Sequence, residues 1–260
     1  METFIFIWVF LFGLAIGSFL NVVIYRVPRH KSFLMSRSVC PYCSHQLKWY
    51  HNIPMVSYLF LKGKCAFCKH PISFRYPLVE IINALVYVFF FWQWGMSINF
   101  FIYAILSSVL IVIFFIDLDF QIIPDVITLP CIVVGLAVSF LPGEIGIVKS
   151  LLGLLVGGGA LYLIALLGDW LFKKESMGGG DIKMAAMLGA FVGWQKVILI
   201  FMSAAVIGLV VSVVLMLFSS QLRQKRIIPF GPFLAMAAML SISYGERIIN
   251  FYFTHFINLH

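Results

Sequence analysis

Residues 113–119 read Ile113-Phe114-Phe115-Ile116-Asp117-Leu118-Asp119, and they close an apolar run that begins near Ile98. A second junction of the same kind follows at Gly178-Gly179-Gly180-Asp181-Ile182-Lys183, and a further carboxylate, Asp125, stands between the two after Pro124. Long apolar runs that break at carboxylates are what a bilayer imposes: a helix crosses the hydrocarbon and charge waits near its edge. The whole chain holds only ten acidic residues. Spending several of them at two such edges points to a paired-aspartate site rather than to a solvated surface.

Composition bounds the fold. The 260 residues are 62% hydrophobic and 11% charged, with a mean hydropathy of +1.04, which excludes a water-soluble globule of this size. Apolar stretches run at about 4–25, 78–94, 98–116, 126–141, 147–172, 182–194, 197–218 and 231–253. The expected fold is therefore an all-α polytopic membrane protein with about eight transmembrane helices. The sixth stretch is short and reads as a half-length or tilted helix packed inside the bundle. Met1-Glu2 brings no basic segment ahead of Phe4 to Tyr25, so that stretch is expected to be a retained first span and not a cleaved signal peptide.

Orientation follows from the basic residues. With the amino terminus outside, the loop from Arg26 to Pro77, the break from Lys173 to Lys183 and the stretch from Arg223 to Arg226 all face the cytoplasm. They hold 15 of the 18 Lys and Arg, leaving only Lys149, Lys196 and Arg247 outside. Both aspartate motifs then sit at the cytoplasmic membrane edge. The net charge of +8 reflects this topology and contact with the anionic headgroups of the lipid bilayer, rather than a nucleic-acid surface.

Three parts follow: a first transmembrane helix over residues 1–25, a cytoplasmic loop domain over 26–77 and a transmembrane domain over 78–260. The loop carries nine basic residues and no acidic one. Within it, Cys40-Pro41-Tyr42-Cys43-Ser44-His45 and Cys65-Ala66-Phe67-Cys68-Lys69-His70 repeat Cys-x-x-Cys-x-His at a spacing of 25 residues. Cys40, Cys43, Cys65 and Cys68 supply four soft ligands for a tetrahedral zinc. A disulfide pairing is the competing reading, and a reducing compartment argues against it. So small and polar a loop buries little core, so a zinc here would be structural and supply folding energy. Four thiolates leave no open position for a catalytic water, and His45 and His70 read as surface or outer-sphere groups. Cys131, in the fourth stretch, reads as a small buried hydrophobe.

Peptide hydrolysis without a metal or a nucleophilic serine can use two carboxylates that share one proton, one activating water while the other protonates the carbonyl or the leaving amine. Such a dyad needs aspartates delivered by different segments to one point. Asp117 and Asp181 are the expected pair. Asp117 directly follows an apolar turn, whereas Asp119 lies two residues on, points to another face and reads as supporting or solvated. Asp125 opens the fourth stretch, where helix capping and a part in the site are both open readings. Lys183 either pairs with a neighbouring carboxylate or simply obeys the positive-inside rule. Gly178 and Gly180 give the loop before Asp181 the backbone freedom to admit a substrate strand.

Five segments together are similar to one family. Gly17-Ser18-Phe19-Leu20-Asn21-Val22-Val23-Ile24-Tyr25-Arg26-Val27-Pro28, the two cysteine pairs, Arg75-Tyr76-Pro77-Leu78-Val79-Glu80, the segment from Asp117 to Asp125, and Gly178 to Lys183 resemble, in order, the bacterial type IV prepilin peptidases. These belong to the Gly-x-Gly-Asp membrane aspartic proteases, bifunctional leader peptidases and N-methyltransferases of the inner membrane. The resemblance implies that Asp117 and Asp181 are the catalytic aspartates and that the four cysteines take the family's zinc positions. It implies substrates that are prepilin or pseudopilin precursors of type IV pilus and protein secretion systems. Their short basic leader would be cut after a glycine on the cytoplasmic side. The new amino terminus, usually phenylalanine, would then be methylated with S-adenosylmethionine. No nucleotide fingerprint of soluble type marks a site for that donor. Gly157-Gly158-Gly159 falls inside the fifth stretch, where small residues permit close helix packing. Asn21 and Glu80 either line the methyl-transfer or substrate region or make interhelical hydrogen bonds. Because a basic loop would repel a basic leader, acidic groups at the edge, Asp119, Asp125 or Glu175, are expected to orient it.

Rival classes fit less of the sequence. An ion-coupled transporter would place its carboxylates near the midplane between repeated halves, and no such repeat of spans occurs here. A zinc-bearing assembly factor without catalysis would leave the Gly-Gly-Gly-Asp loop unexplained. A membrane aspartic peptidase without methyltransferase activity remains the nearest alternative.

Overall fold

The structure, a computed structural model, describes residues 2–32, 38–141, 145–173, 177–218 and 229–257. Glu175 and the stretch Arg223 to Arg226 lie outside the described residues. Helices occupy all eight apolar stretches: α1 (Glu2–Arg26), α3 (Arg75–Trp94), α4 (Ile98–Phe120), α5 (Asp125–Val138), α6 (Ile147–Phe172), α7 (Gly179–Val192), α8 (Trp194–Phe218) and α9 (Gly231–Tyr252), with a five-residue α2 (Val56–Phe60) in the first loop. Among the described residues, α1, α3, α4, α6 and α8 are long and apolar enough to cross a membrane, and α5 is a shorter apolar helix. The protein is a multi-pass membrane protein. Its contacts divide into two units, residues 1–115 and 116–260.

In the first unit α1 and α3 pack antiparallel. A Cβ at Gly13 would stand 2.6 Å from the Ala84 Cα, and one at Gly17 would stand 2.6 Å from the Glu80 Cα. The Gly-x-x-x-Gly stripe of α1 thus brings two backbones into contact, the usual means of helix association where lipid removes any hydrophobic drive. Polar side chains tie the same seam: Asn21 Nδ2 donates to the Tyr76 carbonyl at 3.0 Å and Asn83 Nδ2 to the Gly13 carbonyl at 2.8 Å. Ser108 of α4 donates to Asn83 Oδ1 at 2.8 Å and lies 3.0 Å from the Tyr87 hydroxyl. Such bonds are worth only about 0.6 kcal/mol each in a membrane, so packing at the glycine stripe carries the pairing and the polar groups fix its register. Asn21 is thereby an interhelical tie.

In the second unit α7 is the innermost helix, with every residue from Met184 to Val192 buried. This is the short, enclosed helix expected from the sixth stretch. It lies so close to α6 that a Cβ at Gly153 would fall on the Gly189 carbonyl and one at Gly157 on that of Ala185. Ser150 Oγ adds a 2.6 Å bond to the Ala190 carbonyl. Gly157 and Gly158 of the triplet therefore face α7, as close helix packing requires, while a Cβ at Gly159 would meet open space. A helix with small residues on its packing face can sit at the centre of a bundle and carry a group at its first turn to a fixed place, which is what α7 does for Asp181.

Candidate active site and cysteine knuckle

Asp117 lies on α4 one turn before its end, because the helix runs on to Phe120 where the apolar run alone stops at Ile116. Gln121 closes it in a left-handed conformation, φ 54°, with its N–H on the Asp117 carbonyl at 2.9 Å. The Asp117 side chain is 5% exposed. Its Oδ2 accepts the backbone N–H of Gly231, the first residue of α9, at 3.1 Å. First-turn N–H groups have no partner within their own helix, and their polarity suits an acidic group. A Cβ at Gly231 would stand 2.5 Å from the same oxygen, so glycine is what lets the helix end close on the carboxylate.

Asp181 is the third residue of α7, held by its own N–H on the Gly178 carbonyl at 3.1 Å. Its Oδ1 is buried with no hydrogen-bond partner. The two aspartates lie within each other's electrostatic reach. Ile123 is the spacer between their segments: a Cβ at Gly180 would come within 2.8 Å of the Ile123 Cβ, and one at Gly231 within 3.1 Å of its Cδ1. Asp117, Asp181, Gly178, Gly180 and Gly231 thus converge. Lys183 Nζ meets Asp125 Oδ2 at 2.6 Å, tying the start of α5 to the second turn of α7. Of the readings open for Lys183, it pairs with a carboxylate, Asp125, which also stands in the first turn of α5, where the helix dipole favours an acidic group. Asp119 is exposed, on a different face of α4 from Asp117. Reading the sequence overlooked Gly231. The only signal was a Gly-Pro pair opening a helix after a basic break.

In the first unit the knuckles fold as a matched pair. Antiparallel bridges Val39–Gln46 and Lys64–Pro71 are related by the 25-residue offset of the sequence repeat. So are the left-handed turns at Ser44 and Lys69, φ 56° and 61°. The aromatic contacts are reciprocal: Tyr42 stacks on His70 at 3.3 Å between ring centres, and His45 on Phe67 at 3.5 Å. Both histidines are occupied in packing the two halves together. The Sγ atoms of Cys40, Cys43, Cys65 and Cys68 lie within 4.8 Å of one another, with 3.9 Å between Cys40 and Cys68. Tetrahedral zinc with Zn–S bonds of about 2.3 Å requires sulfurs about 3.8 Å apart, so the donor set fits that ion. Backbone N–H groups of Cys68 and then Phe67 lower the Cys65 thiol to about 7, while its neighbour Cys68, beside the other three sulfurs, is pushed up to about 11.

A helical membrane protein in which two aspartates converge, one of them in the glycine-rich first turn of α7, defines an integral membrane protein with a paired-carboxylate centre. The model of the bacterial peptidase A24 N-terminal domain matches residues 11–94, and that of the type IV leader peptidase family matches residues 104–213. The chain is 36% identical to the prepilin leader peptidase/N-methyltransferase of Aeromonas hydrophila, over 96% of this chain and 94% of the relative. It is 37% identical to the protein of that name from Stutzerimonas stutzeri, over 91% and 89%, and 36% identical to that from Pseudomonas aeruginosa, over 93% and 91%. No solved structure matches it. The chain belongs to the type IV leader peptidase family.

Proposed function

We propose that this protein removes the leader of type IV prepilin-like precursors and then N-methylates the exposed amino terminus with S-adenosylmethionine. Asp117 and Asp181 are the catalytic pair. The observation that carries the reading is their convergence: one carboxylate is pinned by the Gly231 N–H, and the other presents a buried oxygen with no partner. A water between them would lose a proton to the ionised carboxylate as its oxygen attacks the scissile carbonyl carbon. The protonated carboxyl would give its proton to the carbonyl oxygen. Collapse of the tetrahedral species then breaks the C–N bond as the amine takes a proton back. Gly178 and Gly179 leave room beside Asp181 for an extended substrate strand, where a helical precursor would protect its own peptide bonds, while Gly180 packs against Ile123.

The positive-inside bias of the basic loops supports a centre at the cytoplasmic edge of the inner membrane, where a precursor's leader would wait. A zinc held by Cys40, Cys43, Cys65 and Cys68 would fix the first loop, and its chemistry there is structural. The loop domain of residues 26–77 stands between the first span, 1–25, and the peptidase domain, 78–260. Incubating purified enzyme with a prepilin and S-adenosylmethionine tests the reading. Product masses should show loss of the leader and gain of one methyl group. Leader loss with no methyl gain would leave a peptidase alone, and an unchanged precursor would overturn the proposal.

A further inference from the structure

The first loop returns to the depth of the helices before it reaches its second knuckle. Ser18 Oγ donates to the Asn52 carbonyl at 3.3 Å, and the Met55 N–H donates to Glu80 Oε2 at 2.8 Å. Glu80 lies five residues inside α3 from Arg75 and Ser18 eight residues inside α1 from Arg26. At a rise of about 1.5 Å per residue these positions are roughly 7 and 12 Å below the charged helix ends. Met55 holds φ 59° and ψ −49°, a tight turn of the kind a side chain rarely adopts, and its N–H is the one that meets the buried carboxylate. Irregular backbone at membrane depth requires such partners.

What the turn carries is apolar. Ile53, Val56, Leu59 and Phe60 are all exposed, Phe60 at 84%, in a loop otherwise rich in lysine. Lys48, Lys62 and Lys64 flank them, also exposed. Apolar side chains bounded by lysines, at the depth where headgroups give way to acyl chains, fit a leaflet: hydrocarbon takes the side chains and lipid phosphates take the ammonium groups. Helices α1 and α3, which hold the turn, expose apolar side chains of their own, Phe12, Phe19 and Leu85 among them.

We propose that residues 53–60 are a membrane hook, inserted among the acyl chains of the leaflet at this end of α1 and α3, with Glu80 as the tether that holds it at depth. The cysteine knuckles, which follow and precede the hook in sequence, are thereby kept on the bilayer surface.

The test replaces Phe60 with the photocrosslinker p-benzoylphenylalanine in the full chain, reconstituted in phospholipid vesicles. Trp92, 70% exposed on α3, carries the same group as the positive control. Mass spectrometry after irradiation should find phospholipid adducts at both positions. Adducts at residue 92 with none at 60, or adducts at 60 only to protein, would overturn the hook. Because Phe60 is exposed, its replacement leaves packing intact. In the second arm Glu80→Ala is added to the residue-60 reporter, with circular dichroism as the check on folding. Loss of the lipid adducts from a folded chain supports the tether, and unchanged adducts overturn that half of the proposal.

Discussion

Gly231 donates its backbone N–H to Oδ2 of Asp117 across 114 residues of sequence. This bond brings the last long helix to the carboxylate that ends the apolar part of α4 and fixes one side of the aspartate pair. The other side is Asp181, whose Oδ1 is buried without a partner. One carboxylate held and one open is an arrangement in which a water can be positioned between acid and base.

Asp117→Asn and Asp181→Asn should each cost nearly the whole rate, because in the proposed mechanism the carboxylates act as a unit and removing either removes the shared proton. A loss of roughly 10³-fold or more in leader cleavage is expected for each, with insertion and helicity unchanged. Asp119→Asn and Asp125→Asn should retain more activity. Substantial cleavage by either of the first two variants, in an assay of prepilin processing, would sink the assignment.

Gly231→Ala tests the pinning bond. The added methyl would stand 2.5 Å from Asp117 Oδ2 and 3.1 Å from Ile123 Cδ1, so α9 must retreat or the carboxylate must turn. A displacement of that order in a reacting group costs on the order of 10²-fold in rate. The loss should fall on kcat, with precursor binding, measured by pull-down on an inactive background, nearly unchanged. Wild-type turnover by Gly231→Ala would mean that the contact does not set the geometry of the pair.

The Asp125–Lys183 pair should matter less. Its side chains are 53% and 41% exposed, so screening limits it to about 0.2–1 kcal/mol of coupling. Asp125→Asn, Lys183→Gln and the double variant should form a cycle in which the second change adds little to the first. Purely additive losses in processing rate would show that the two residues act separately.

How much could be read from the sequence depended on how each feature is encoded. The eight helices were legible because hydrocarbon admits little but long apolar runs, and the knuckles because their 25-residue repeat places identical ligand types at identical turns. The enclosed α7 was legible from its length, and small residues such as Gly189 and Ala185 let it lie against α6. Gly231 was not, since its contribution is a backbone N–H, and no side chain announces it. The partner of Lys183 stayed open because Asp125 is 58 residues away and nothing local links them. The apolar run stops at Ile116, yet α4 continues to Phe120, because Leu118, Asp119 and Phe120 are exposed and meet no obstacle to another turn.

The cysteine cluster should hold one zinc. Elemental analysis of the purified protein is expected to give about one equivalent per chain, as a four-ligand site requires. Changing Cys40 and Cys43 together to Ser should remove the metal and expose the first loop to protease, since Tyr42–His70 and His45–Phe67 stacking alone is a small core. Stoichiometric zinc in that double variant would refute the ligand set.

Cleavage creates the amine that methylation consumes, so the two reactions are ordered, and the proposed mechanism calls on the aspartate pair only for the first. Methyl transfer requires the sulfonium of the donor and an oriented, unprotonated amine, with no carboxylates sharing a proton. Asp117→Asn and Asp181→Asn should therefore fail to methylate an intact precursor yet methylate a peptide supplied with a free amino-terminal phenylalanine at close to the wild-type rate. Mass spectrometry of the peptide reads the outcome directly. Should both variants remain folded by circular dichroism and still lose methylation of the pre-cleaved peptide, the two reactions share these aspartates, and the donor site must lie beside Asp117 and Asp181.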